Sequence, residues 1–434
     1  MNDRSRLDEE PSLMQRRTAR KLTAGAIALT AALTLSACGS GFSGSGGSGG
    51  SGDAGKLTSS DKDLTVLIGS SGDAETAAVK SAASAWSKSS GTGVSVQAAN
   101  NLDQQLAQGF ASGKPADVFY VSTSSLAGYA SNGSLLPYGD QLKDTGDFYP
   151  TLTRSFTVDD QLYCAPKDFS TLALFINTAD WKAAGLTDAD VPKTWDQLET
   201  VSEKLTQDGR VGLSTSPQIE RLGAFMAQAG GGLTNADQTK ATVDSAANVE
   251  ALDYVKSLLD QGSMKFSSDL GESWGGDAFG KDKAAMTIEG NWLTGAMSSS
   301  YPDVEYEVVP LPEGPKGAGT LQFTNCWGIA KDSPNQKAAL SFVEKMTSTD
   351  QQLAFAKAFG VMPSVESAAS TWKQEYPQYA AFLDQADAAQ GLPNASGTAD
   401  VIADFDSKLG TLRSTDVKTL LEGVQKNMSA ALKG

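Results

Sequence analysis

Leu64-Thr65-Val66-Leu67-Ile68, with the segment Ala74 to Lys88 behind it, is the stretch that sets the fold. The first five residues read as a buried strand, and the next segment places Ala78, Ala82, Ala85 and Trp86 on one helical face. Strand-like runs recur at Val94–Val96, Val118–Val121, Leu172–Ile176, Ala285–Ile288, Tyr306–Val309 and Cys326–Ala330, with helical patterns between many of them. Thr194-Trp195-Asp196-Gln197 has the form of a capping box opening a helix through Leu205. Ser333-Pro334 reads as a second helix start, with Ser as N-cap and Pro in the first turn. Alternation of this kind predicts α/β layers with largely parallel sheets, and from Ser333 onward the pattern is almost entirely helical.

Ahead of this body, Arg16, Arg17, Arg20 and Lys21 precede an apolar run from Leu22 to Leu35. Leu35-Ser36-Ala37-Cys38 follows at once, the layout of an export signal and too short to span a bilayer comfortably. The last four residues resemble the bacterial lipobox, in which the cysteine sulfur receives diacylglycerol. On that resemblance residues 1–37 are a signal peptide and Cys38 is the lipid anchor. Arg16-Arg17 suggests twin-arginine export without the apolar pair that pathway prefers, so both general and twin-arginine routes stay open; Met14 is an alternative start. The Gly/Ser composition from Gly39 to Gly55 predicts a flexible tether over 38–58, with a reach on the order of 20 Å.

The chain has 434 residues, enough for two domains after the leader, and a formal net charge of −16. Such a surface repels nucleic acid and anionic lipid. There is no histidine, which excludes Ser-His-Asp and Cys-His catalysis, histidine metal sites and histidine pH switches. With Cys38 lipidated, Cys164 and Cys326 remain, either as a disulfide in an oxidising compartment or as two buried thiols.

Four stretches, in order, resemble the bacterial extracellular solute-binding proteins of the maltose-binding type, the receptors of ATP-driven sugar importers. The first is Leu64–Ile68 with Pro115-Ala116-Asp117-Val118-Phe119-Tyr120-Val121, Gly128-Tyr129-Ala130 and Leu135-Leu136-Pro137. The second is Tyr163-Cys164-Ala165-Pro166 with Thr171–Asn177 and Pro192-Lys193-Thr194-Trp195-Asp196. The third runs from Gly280 to Trp292, and the fourth joins Gly328-Ile329-Ala330, Ser333-Pro334-Asn335 and Gly360-Val361-Met362-Pro363-Ser364. The resemblance implies a two-lobed, type II periplasmic-binding-protein fold with three hinge crossings near 167–171, 285–290 and 322–328. Lobe one then holds 59–166 and 291–321, and lobe two 172–284 and 329–434. It further implies a cleft for a mono- or oligosaccharide, closure by hinge motion, no cofactor, a monomeric receptor on the outer face of the cell membrane, and delivery to importer permease subunits. Cys164 and Cys326 both fall beside crossings, which favours a bridge that staples the hinge.

Sugar clefts combine aromatic platforms with Asp, Glu, Asn, Gln and Arg side chains. Trp292 matches the family's platform, and Trp372 a stacking tryptophan further on; Trp274 lies in a glycine-rich loop. Trp327 fits either the cleft or packing under the hinge, whereas Trp86, Trp181 and Trp195 read as core. Polar candidates in the loops after lobe-one strands are Ser70, Ser71, Asp73, Asn100, Asn101, Ser122 and Ser124, since α/β ligands bind at strand carboxyl ends; ordinary turn chemistry also accounts for them. At the crossings the candidates are Lys167, Asp168, Ser170, Glu289 and Asn291, and in lobe two Gln218 and Arg221. Where maltose receptors carry a first-lobe tryptophan and a charged pair, this chain has Val121, Ser124 and Ser125, which argues against maltodextrin. A polyamine receptor is the rival ligand class. A glycosidase using Asp168 and Glu289 is the rival of another kind.

Overall fold

The computed structural model describes residues 56–207 and 209–433. The leader, Cys38 and all but the last residues of the expected tether lie outside them. The strands are β1 (Leu64–Ile68), β2 (Val94–Ala98), β3 (Val118–Ser122), β4 (Thr157–Val158), β5 (Gln161–Leu162), β6 (Ala165–Asn177), β7 (Val211–Thr215), β8 (Met264–Phe266), β9 (Ala284–Gly290), β10 (Tyr306–Val309), β11 (Thr320–Ile329) and β12 (Ala389–Gln390). Eight of them run in the order β2-β1-β3-β11-β6-β9-β7-β8, with β10 beside β6 and β12 beside β11; β4 and β5 form a separate hairpin. The β1/β2, β1/β3, β7/β8 and β7/β9 pairs are parallel. Because β6 and β11 run antiparallel to each other and to β9 and β3, the sheet is mixed rather than largely parallel.

Two cores flank the long strands. One gathers Leu64, Val66 and Ile68 of β1, Val79 and Trp86 of the helix Asp73–Ser90, Val118 and Val121 of β3, and Trp327, Phe342 and Phe355. The other gathers Leu172, Leu174 and Ile176 of β6 with Trp181, Trp195, Leu213, Phe225, Met286, Leu311, Leu321, Phe405 and Leu421. A third cluster, around Phe169, Phe175, Phe279, Leu293, Trp372 and Phe382, packs beside the crossing strands. The fold is therefore two α/β lobes joined by β6 and β11, each strand contributing one end to each core, and by a third passage between Ala368 and Val401.

These cores divide the chain differently from the expected boundaries. β9 pairs only with β7 and with Leu172–Ile176, the lobe-two half of β6, so 285–290 is not a crossing. β10 pairs with Leu174–Asn177 of β6, and Leu311 and Leu321 enter the second core, which puts 291–321 in lobe two. Ile329, Phe342, Val343, Phe355 and Ala368 bury in the first core, so the chain from β11 to Ala368 belongs to lobe one. It returns to the second core by Val401 and Phe405.

Local chemistry explains the elements. The helix Trp195–Leu205 is capped by Thr194, whose hydroxyl accepts from Gln197 N, while Gln197 reaches back to the Lys193 N–H rather than to that of Thr194. The helix expected to start at Ser333-Pro334 begins at Gln336 instead. Ser333 Oγ is engaged elsewhere, donating to Asp117 Oδ1 at 2.6 Å. β7 was masked in the sequence by Gly212, where any Cβ would lie 1.9 Å from Ser202 O on the packed helix. Cys164 and Cys326 are bonded, with α-carbons 5.6 Å apart, and both are buried in the lobe-one core.

Candidate functional site

The crossing strands are buried along their length except at one place. In thirteen residues of β6 only Ser170 keeps partial exposure, and in ten residues of β11 only Phe323, Thr324 and Asn325 do. The exposed positions coincide, because Ser170 lies opposite Phe323, and Asn325 lies between Asp168 on β6 and Ser122 on β3. This window is the floor of the cleft between the lobes. Beside it the register shifts, with Asn325 opposite Asp168 and Cys326 opposite Pro166, so β6 holds one extra residue, Lys167. A bulge of this kind re-aims a side chain, and here it brings the Lys167 ammonium against the neighbouring Asp168 carboxylate.

On the lobe-two side stand Trp292, Arg221 and Glu289. The Arg221 guanidinium lies 5.0 Å from the centre of the Trp292 ring and 6.0 Å from that of Phe323, and the two rings meet edge to face at 5.1 Å. Glu289, with no exposed surface, accepts on Oε2 from Arg221 Nε at 3.0 Å and Nη2 at 2.9 Å, and from Trp292 Nε1 at 3.0 Å. Burial pushes the Glu289 carboxyl above its usual range, against the opposing pull of Arg221 and the indole N–H. Gly290 admits the platform: a Cβ there would lie 2.2 Å from the Trp292 ring. Gly276 does the same for Trp274, at 2.3 Å.

On the lobe-one side is a buried charge cluster. Lys167 Nζ donates to Glu75 Oε1 at 3.0 Å and to Asp168 Oδ2, and lies 4.7 Å from the centre of the Tyr120 ring. Tyr120 Oη donates to the same Glu75 oxygen at 3.0 Å, and Ser71 N and Oγ donate to Glu75 Oε2, each at 2.7 Å. Burial works to lower the Lys167 ammonium, but two carboxylates outweigh it and hold it above its usual range. Burial likewise works to raise Glu75, and Lys167 with the Ser71 donors outweighs it, leaving Glu75 low. For Asp168 burial prevails, with Glu75 adding to it against Lys167, and the carboxyl is raised.

The structure thus brings together Asp168, Ser170, Ser122, Glu289, Trp292 and Arg221 from the sequence-predicted set. Ser122 also caps the helix Thr123–Ser131, with Ser124 exposed beside it at 3.1 Å. Asp73 opens the helix Asp73–Ser90 and Asn100 lies in a loop; both are exposed and neither side chain hydrogen-bonds to the window residues, while Asn101 caps the helix Leu102–Ala111. Other candidates are taken up by packing. Trp372 is 2 % exposed and donates its indole N–H to Val361 O, so it offers no ring face to a ligand in this conformation. Asn291 is buried and donates to Gly360 O, whereas Trp274 is half-buried against the third cluster. Gln218 is exposed at the start of the helix Ile219–Gln228. Trp327 is core, edge-to-face with Tyr120 and Phe342. Sequence reasoning missed Phe323, Asn325 and Glu75. The polar Thr324-Asn325 interruption before Cys326 was the available signal for the first two; Glu75 lay unremarked in a helix start.

The arrangement suits reversible capture of a polar ligand with an apolar face. Glu289 has no accessible oxygen to offer a glycosidic bond, and among the described residues no group of His, Cys, Asp and Glu could hold a metal ion. No helix among them is long and apolar enough to cross a membrane.

Two lobes around a cleft floored by crossing strands define a hinged binding protein. Residues 81–382 match the model of the bacterial extracellular solute-binding proteins, and the chain belongs to that family. It is 25 % identical over 348 residues to the diacetylchitobiose binding protein DasA of Streptomyces coelicolor, covering 77 % of this chain and 78 % of that one. Its fold is similar to that of the cyclic α-maltosyl-1,6-maltose binding protein of Arthrobacter globiformis, with a TM-score of 0.77 at 21 % identity over 86 % of this chain and 99 % of the other. It is similar as well to UgpB of Mycobacterium tuberculosis in complex with glycerophosphocholine, with a TM-score of 0.71 at 19 % identity over 86 % and 98 %. At these identities the structural likeness concerns the fold.

Proposed function

We propose that this protein is the substrate-binding receptor of a sugar importer, taking a mono- or oligosaccharide in the cleft between its lobes. The observation that carries the reading is the exposed window at Ser170 and Phe323–Asn325, set against Trp292 with its Arg221–Glu289 pair. Aromatic rings meet the apolar C–H faces of a sugar, and the Ser, Asn and Asp groups meet its hydroxyls. The diacetylchitobiose and maltosyl-maltose specificities of its relatives support the same class. Contacts from both lobes stabilise the closed form, which the importer's membrane subunits recognise. Lobe-one residues Asp73, Asn100, Ser122 and Ser124 complete the contacts on closure. We further propose that the chain is exported, cut before Cys38, lipidated there, and held outside the membrane on its Gly/Ser tether as a monomer.

Calorimetry and thermal shift of residues 56–434 against a saccharide panel test the function. A cognate sugar raises stability by about 2.7 kcal/mol at a hundred times its Kd and is recovered unchanged. Hydrolysis of any glycoside overturns the receptor reading. Globomycin-sensitive processing and radiolabelled-palmitate incorporation test the anchor, and a Cys38→Ala chain that still takes up label refutes it.

A further inference from the structure

The cleft charges do not balance. Arg221 is matched by Glu289 on the lobe-two side, but in lobe one a single ammonium, Lys167, serves two carboxylates, Glu75 and Asp168. Glu75 is saturated, since both its oxygens accept hydrogen bonds from Ser71, Tyr120 and Lys167. Asp168 is not. Its Oδ2 takes the Lys167 ammonium, whereas Oδ1 has no donor within the protein although the residue is only 8 % exposed. The residue stands next to the window, two positions before Ser170 on the same strand face and opposite the half-exposed Asn325. A largely buried carboxylate whose one free oxygen is open to solvent, and which shares a single ammonium with a second carboxylate, attracts a cationic donor.

We infer that the ligand class is an amino sugar, bound through its ammonium group at Asp168 while its ring stacks on Phe323 and Trp292. The inference rests on the sugar-receptor reading and narrows it. A neutral hydroxyl at the same place satisfies the oxygen but leaves the charge uncompensated. An N-acetyl group at that place offers one N–H, no charge and added bulk, and a sugar carboxylate or phosphate is repelled. The acidic surface of the whole chain, at net −16, favours arrival of the same cations.

Three β-1,4-linked disaccharides that differ only at carbon 2 separate these cases: chitobiose with free amines, N,N′-diacetylchitobiose and cellobiose. Spermidine, a cation with no ring, is the fourth probe. Calorimetry is run on residues 56–434 at about pH 6.5, where the sugar amines remain largely protonated. The free-amine disaccharide is expected to bind at least tenfold more tightly than either of the others. Asp168→Asn, which keeps the shape and one acceptor, is expected to weaken the free-amine disaccharide at least tenfold more than cellobiose and so to remove most of that preference; circular dichroism reports whether the variant folds, and Asp168→Glu should restore part of the preference. Equal or tighter binding of cellobiose or the acetylated sugar overturns the inference and leaves the sugar receptor standing. Spermidine bound with no sugar bound overturns the sugar class and leaves the cation preference. No binding by any of the four overturns the inference, and the saccharide panel then decides the sugar-receptor reading by itself.

Discussion

Trp292 does more than lend a ring face. Its N–H is one of three donors on Glu289 Oε2, so the indole, Arg221 and the carboxylate hold one another in place. Trp292→Ala is expected to reduce sugar affinity by a hundredfold or more with the lobes still folded, as calorimetry and circular dichroism can check. Arg221→Met is expected to be worse for the fold, because it strands a carboxylate with no exposed surface; loss of one partner of such a pair costs about 3–5 kcal/mol, measurable by urea unfolding. Asp406 gives a pH prediction. Burial, with Glu220 beside it, raises its carboxyl to about 6, although the Ile219 N–H at 2.7 Å and Arg221 oppose the shift. An acid raised on folding contributes stability that is present below its unfolded value of about 3.9 and is lost as pH climbs through about 6. Asp406→Asn, which keeps the acceptor for Ile219, should therefore stabilise the protein by on the order of 1 kcal/mol at pH 8, allowing for solvent screening, and by nothing at pH 3. A pH-independent difference in midpoint would contradict this.

At the scale of elements, much was legible because periodicity is a local property. β1 and β10 fall on their expected residues, and the helix expected over 74–88 spans Asp73–Ser90. What was not legible depends on partners distant in sequence. Nothing local in Ala284–Gly290 distinguishes a strand that crosses between lobes from one that ends inside lobe two; only its pairing with Leu172–Ile176 and β7 does. The window was half legible: Ser170 was a candidate as a polar residue at the expected first crossing, but its partner Phe323 looks like any strand phenylalanine until the register sets the two opposite. Trp372 shows the opposite failure, since position along the chain suggested a platform and burial made it core. Gly290 tests whether close approach fixes the platform. Gly290→Ala is expected to displace the indole and weaken sugar binding at least tenfold with little loss of thermal stability, since the ring sits at the cleft and can move.

At the scale of the molecule, two cores share two strands, and hinge bending at the window is expected to change the distance between Trp292 and lobe one without breaking either core. Small-angle scattering with and without a cognate sugar should show a smaller radius of gyration when bound; an unchanged profile would argue against closure. The disulfide joins residues 162 positions apart, and its loss, in the Cys164→Ser, Cys326→Ser double variant, is expected to cost about 3–5 kcal/mol in denaturant unfolding. Both cysteines lie in the lobe-one core, and the chain between them makes most of the lobe-two sheet, from β6 through β7, β8, β9 and β10 and back along β11. Lobe two is thus largely a covalent ring hung from lobe one. A single protease cut anywhere between Cys164 and Cys326 opens that ring without releasing either piece, so the nicked protein should run as one band on a non-reducing gel and as two after reduction.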